Sequence, residues 1–198
     1  MLVDKQKRLP RRRSVQRIRG VSLLEVLVSV LLAAIGLLAL AGANVSAIRY
    51  SKMSQYRSTS TMLAHDIAER MRANKLGLGS YTYTTSWTSQ ASAIANDSSC
   101  EGAAATCTAS QLAAYDLATW RKVVRDQLPQ GSVFISIQGT VGADVWIAWR
   151  DPAVANASEN STDSRNAAAD TAKECPPSSL GFAPSDSTVR CSFFRINI

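Results

Sequence analysis

The 198-residue sequence contains a single histidine, His65, and lacks any Walker A, Gly-rich dinucleotide or activated-serine pattern. The usual sequence signatures of nucleotide binding and nucleophilic hydrolysis are therefore missing. Zinc is poorly served as well, because the four cysteines, at 100, 107, 175 and 191, fall in Cys-x6-Cys and Cys-x15-Cys spacings without the close pairs of a zinc site. We expect no metal and no cofactor. His65 with Asp66 and Glu69 is the nearest approach to an acid–base cluster. Adjacent helical residues point about 100° apart, however, and no second catalytic element accompanies them. A polar helix face explains all three, and no enzymatic activity is expected. Trp146 and Trp149 fall on opposite faces of one expected strand, which speaks against a shared ligand platform. Asn156-Ala157-Ser158 and Asn160-Ser161-Thr162 match glycosylation acceptors and read as polar loop.

Excess positive charge is missing from most of the chain. The formal net charge is +7, but residues 1–20 carry eight of the 22 basic side chains and one of the 15 acids, so the remainder holds fourteen of each. A phosphate-binding face needs charge on a folded surface, and here the surplus lies on a short arm. A nucleic-acid partner is not expected.

That arm ends at Val21–Ala43, 23 residues in which Ser22, Glu25, Ser29, Gly36 and Gly42 interrupt Val, Leu, Ile and Ala. At the helical rise the run spans roughly 35 Å, enough to cross a hydrocarbon core of about 30 Å. The positive-inside bias assigns residues 1–20 to the cytoplasm and the chain beyond about Ala43 to the far side. A cleaved secretory signal would carry a shorter apolar core, although Ala39-Leu40-Ala41 mimics its small-x-small site.

Glu25 fits neither reading. A carboxylate one turn into an apolar run is costly in lipid, and no Lys or Arg follows before Arg49. Cutting the Gly20–Val21 bond would create a positive α-amino group four residues from Glu25, on the same helix face, and would discard the basic arm. Gly20 suits a scissile position because it lacks Cβ and admits a protease to the backbone.

Gly20-Val21-Ser22-Leu23-Leu24-Glu25-Val26, after a basic leader and before about twenty apolar residues, closely resembles the prepilin signature of type IV pilins and type II secretion pseudopilins. The resemblance implies cleavage after Gly20 by a membrane-embedded aspartyl prepilin peptidase. It also implies N-methylation of Val21 and a subunit-ordering role for Glu25 in the filament. Val21 stands where Phe or Met is more usual, and the 20-residue leader is long; both are commoner in minor pilins than in major ones. Leu63-Ala64-His65-Asp66-Ile67-Ala68-Glu69-Arg70-Met71-Arg72-Ala73-Asn74 is similar to a segment of minor pilins of the PilV kind, the type IV pilus modification proteins. Cys107-Thr108, Gln111–Leu117, Trp120 and Leu128-Pro129 resemble their second helix.

The remaining patterns give a compatible architecture. Val45, Ile48, Tyr56, Leu63, Ile67 and Met71, with Ala64 and Ala68 beside them, continue the apolar helix to a stop at Asn74-Lys75-Leu76-Gly77. A helix of about 53 residues reaches roughly 80 Å, too long for one globular core. Gly36 and Gly42 mark places where it can bend. Residues 77–109 read as irregular, with a short strand at Tyr81–Tyr83. Ser110 is expected to cap a second helix to about Leu128, with Leu112, Leu117, Trp120, Val124 and Leu128 inward. Val133–Ile137 and Val145–Trp149 alternate as strands of a hairpin turned at Gly139 and Gly142; Val189–Ile198 reads as a third strand. Asp151–Ser187 is a long polar stretch.

The expected fold is α+β and pilin-like: a long N-terminal helix, transmembrane then amphipathic, packed on a small C-terminal antiparallel sheet. Residues 1–20 form a cleaved leader, 21–43 the transmembrane and filament-core helix, and 44–198 a periplasmic domain that includes the outer helix. Four cysteines allow three pairings; proximity favours Cys100–Cys107 and Cys175–Cys191, in an oxidising compartment. The expected function is that of a minor pilin, working in pilus assembly, initiation or tip formation. Its expected partners are major and minor pilins, prepilin peptidase, the inner-membrane assembly platform and the lipid bilayer. Its expected location is the inner membrane, single-pass, and later the pilus surface. A minor pseudopilin of type II secretion is the nearest alternative; an uncleaved single-pass anchor bearing a periplasmic binding domain is the alternative of another class.

Overall fold

The computed structural model describes residues 20, 22–95, 100–102, 105–151, 174–182 and 188–198. The leader through Arg19, Val21, and most of the polar stretch after Asp151 lie outside the described residues.

Helix α1 runs Leu23–Ala73, unbroken through Gly36 and Gly42. The chain divides into two compact units, Met1–Val45 and Ser46–Ile198. In the first, every described residue is exposed. The second unit has a core of its own. There α1 buries Ser60, Leu63, Ala64, Ile67, Ala68 and Met71, a set at helical spacing that forms one stripe. Val45 and Ile48, at the same helical spacing nearer the start of α1, are exposed.

Past Asn74 the chain tightens into a 3₁₀ helix, Lys75–Tyr81. The expected strand at Tyr81–Tyr83 reduces to one antiparallel bridge, in which Tyr83 and Ile135 exchange backbone hydrogen bonds of 2.9 and 2.8 Å. Tyr81 is instead the last residue of the 3₁₀ helix, fully buried in the core, which leaves only Tyr83 to pair with the strand of Ile135.

Helix α2, Ala109–Gln127, is capped by Thr108 rather than Ser110. Thr108 Oγ1 accepts from the Gln111 amide at 3.3 Å and Gln111 Oε1 accepts from the Thr108 amide at 2.9 Å. This reciprocal box needs the pair three residues apart that Thr108 and Gln111 provide, which leaves Ser110 inside the first turn. The buried face is Ala113, Leu117, Trp120 and Val124, with Leu112 only half-buried. Pro129 follows the C-cap residue, Leu128.

Three strands complete the unit: β1 (Ser132–Gln138), β2 (Gly142–Arg150) and β3 (Val189–Asn197), antiparallel in the order β1-β2-β3. Ile135 pairs with Val145, and Trp146 with Phe193. Val133, Ile135, Val145, Ile147, Trp149 and Ile196 face the helices in one core cluster. Phe134, Ala148, Val189 and Cys191 face the other way and are covered by Phe182, with Trp87 and Leu180 against them. Part of the stretch expected to be polar loop thus supplies a second, smaller core. The outer edge of β1 is closed by Tyr83 and by Gln90, whose side-chain amide is buried. Gln90 Oε1 accepts from the Val133 amide at 2.9 Å and its Nε2 donates to the Val133 carbonyl at 2.8 Å. An edge strand satisfied in this way offers no template for a further strand at those residues.

Candidate functional site

The start of α1 is built by Ser22. Its hydroxyl accepts from the Glu25 backbone amide at 3.2 Å, taking up one of the donors a helix N-terminus leaves unpaired. Ser22-Leu23-Leu24-Glu25 has the spacing of a capping box, a sequence signal for this cap that the apolar run overshadowed. Ser29 Oγ donates to the Glu25 carbonyl at 2.6 Å. The Glu25 carboxylate itself meets no basic group or hydroxyl among the described residues, and it stands in the first turn, where a negative charge complements the helix dipole. Gly20 is exposed; Val21 is outside the described residues, so no distance joins it to Glu25. Of the described helices, α1 alone is long and apolar enough to cross a membrane. From Leu23 to Leu40 its large apolar side chains stand exposed, Leu23 at 78% and Leu38 at 74%.

In the Ser46–Ile198 unit several titratable residues are held in structural pairs. Asp66 and Glu69, expected on a polar face, receive Arg70 (3.1 Å) and Arg72 respectively, and His65 is exposed beside them. Arg70 also reaches Asp116 at 3.2 Å, and the Tyr81 hydroxyl donates to the same carboxylate at 2.6 Å. Burial alone would lower the Arg70 guanidinium, but Asp66 and Asp116 outweigh it and hold Arg70 above its usual value. Burial, and then the hydrogen bond to Asp116, push the Tyr81 phenol well above its usual value of 10.0. The network ties α1, α2 and the 3₁₀ turn together, and sequence reading missed it because Asp116 and Tyr81 are 35 residues apart.

A pH dependence follows from that shift. The neutral phenol is the form the folded state favours, so the stabilisation is complete below about pH 10 and is lost as pH rises toward the folded value. Tyr81→Phe should be about 1 kcal/mol less stable at pH 7, having lost the bond to Asp116. It should also show a shallower loss of stability above about pH 10 than the parent. Thermal melts at several alkaline pH values check this; parallel curves for the two proteins would contradict it.

Trp149 lies in the helix-facing core and Trp146 on the opposite face against Phe193, ring centroids 5.1 Å apart. Cys100–Cys107 and Cys175–Cys191 are disulfide-bonded, with Cα separations of 5.8 and 5.0 Å. The second bridge fastens the Glu174–Phe182 segment to β3. No group of three or more His, Cys, Asp or Glu side chains is arranged to hold a metal among the described residues.

Residues 43–118 match the family model described as Tt1218-like, Type IV pilin Tt1218. The match supports a type IV pilin family and covers the outer part of α1, the 3₁₀ turn and the first half of α2. No curated protein and no solved structure matches the chain.

Proposed function

We propose that this protein is a minor pilin of the PilV kind, a non-enzymatic subunit working in the assembly, initiation or tip of a type IV pilus. The observation that carries the reading is the division of labour along α1. Its Leu23–Leu40 stretch exposes its large apolar side chains, while its Ser60–Met71 stretch is the floor of a folded unit. An apolar surface of that extent demands a non-aqueous partner. Lipid serves before assembly and a bundle of like helices serves afterwards, so the apolar surface stays buried throughout.

In this reading prepilin peptidase removes residues 1–20 after Gly20 and methylates Val21. The new amine pairs with Glu25 and sets the height of each subunit against its neighbour. The subunit waits in the inner membrane, its Ser46–Ile198 unit in the periplasm, where both disulfides persist, and the assembly platform moves it into the pilus. The prepilin motif at Gly20–Val26 and the matched region at 43–118 do not overlap, so the two lines of support are independent.

Fractionation tests the proposal. Cells sheared to release pili should yield the protein in both the filament and the membrane fractions. Its confinement to membranes in cells that make pili would refute a filament role.

A further inference from the structure

Arg121 and Arg125 lie one turn apart on α2 and line one crevice with Gln90, Ile94, Gly131 and Ser132. The Arg121 guanidinium stands 4.1 Å from the centre of the Tyr83 ring, and Arg125 donates to the Ser92 carbonyl. Neither forms an ion pair among the described residues, whereas Arg57, Arg70, Arg72 and Arg195 each hold a carboxylate. Two like charges at this helical spacing repel. Burial holds Arg121 below its usual value; Tyr83 acts against that lowering, and the neighbouring Arg125 charge adds a smaller push in the same direction as burial. The repulsion between the two guanidinium groups is relieved when an anion meets both.

We propose that Arg121 and Arg125 form a docking contact for a carboxylate carried by an adjacent filament subunit. This rests on the pilin reading and names a partner chemistry within it. The guanidinium fork matches a carboxylate in two parallel hydrogen bonds. Tyr83 stacks against Arg121 and pre-orders it, so less freedom is lost on docking. A polyanion such as nucleic acid is a poorer fit, because it needs a row of positive charges and the chain beyond residue 20 carries equal numbers of acids and bases.

The test uses the full-length protein with Arg125→Gln, Arg125→Glu and Asp97→Asn, the last because this acid lies close in sequence to Ile94 and is outside the described residues. Two readings are taken: thermal stability after detergent extraction, and the amount in sheared pili relative to membranes. Arg125→Gln, which loses both the repulsion with Arg121 and the hydrogen bond to the Ser92 carbonyl, should melt within a few degrees of the parent yet fall roughly tenfold in pili, the scale of one charge-assisted contact. Arg125→Glu should fall further. Equal amounts of parent and Arg125→Glu in pili would overturn the proposal. So would a loss of melting temperature shared by Arg125→Gln and Asp97→Asn and not additive in the double variant, since the carboxylate would then be the chain's own. Absence of the parent itself from pili would instead bring down the pilin reading on which this rests.

Discussion

Glu25→Ala protein is expected to accumulate in the membrane and to drop out of sheared pili by roughly tenfold or more. Insertion should improve, because the substitution removes the one charged side chain of the run Val21–Ala43. Cleavage should persist, since Gly20 and the basic-then-apolar layout are untouched. Assembly is where the loss falls: in a packed bundle the helix sits at a fixed height, and the Val21 amine would be buried without its carboxylate. Each factor of ten in incorporation needs only about 1.4 kcal/mol, and an unpaired buried charge costs more than that. Glu25→Asp separates charge from reach, since its shorter side chain keeps the charge and should recover part of the incorporation. Immunoblots of pilus and membrane fractions give the ratio. Parental ratios for both variants would remove Glu25 from assembly and leave it the simpler role, visible in the structure, of a first-turn acid on a capped helix.

Trp120→Ala should be among the most damaging substitutions in the Ser46–Ile198 unit. The ring is fully buried, and its Nε1 donates to the Leu63 carbonyl at 2.9 Å, bolting α2 to α1 across 57 residues. Removing it opens a cavity between the helices and the sheet, at a cost of about 3–5 kcal/mol. A domain stable by about 5–15 kcal/mol loses about a fifth of its stability or more. Trp120→Phe keeps most of the volume, loses the hydrogen bond, and should cost about 1–2 kcal/mol. Urea unfolding of the detergent-solubilised protein, followed by near-ultraviolet circular dichroism, reports the tertiary core rather than the helix. Equal midpoints for parent and Trp120→Ala would mean that α2 is not part of the cooperative core.

Local patterns and nearest-neighbour spacing made much of the fold legible. The alternation at Val133–Ile137 and Val145–Trp149 located both strands of the hairpin, and the opposite placement of Trp146 and Trp149 followed from strand parity alone. What stayed hidden depended on partners distant in sequence. Gln90 sits in a Ser- and Thr-rich stretch that reads as loop, yet it is buried as the cover of β1 because Val133 offers it two backbone groups. Asp116 reads as a surface residue of α2 until Arg70 and Tyr81 converge on it. At the candidate site, Glu25 was conspicuous because an acid in an apolar run is costly, whereas Ser22 passed unnoticed although its spacing to Glu25 carries the capping signal. The Arg121–Arg125 pair was invisible, since only the fold shows that neither has found an acid among the described residues.

The central claim, that α1 becomes a filament helix by losing the basic arm, stands or falls on the mature N-terminus. Intact-mass analysis of the membrane-extracted protein, with sequencing of its first peptide, should give a chain beginning at Val21 with one added methyl on the α-amino nitrogen. A protein that keeps Met1 through Gly20, or that begins after Ala41, would contradict the account.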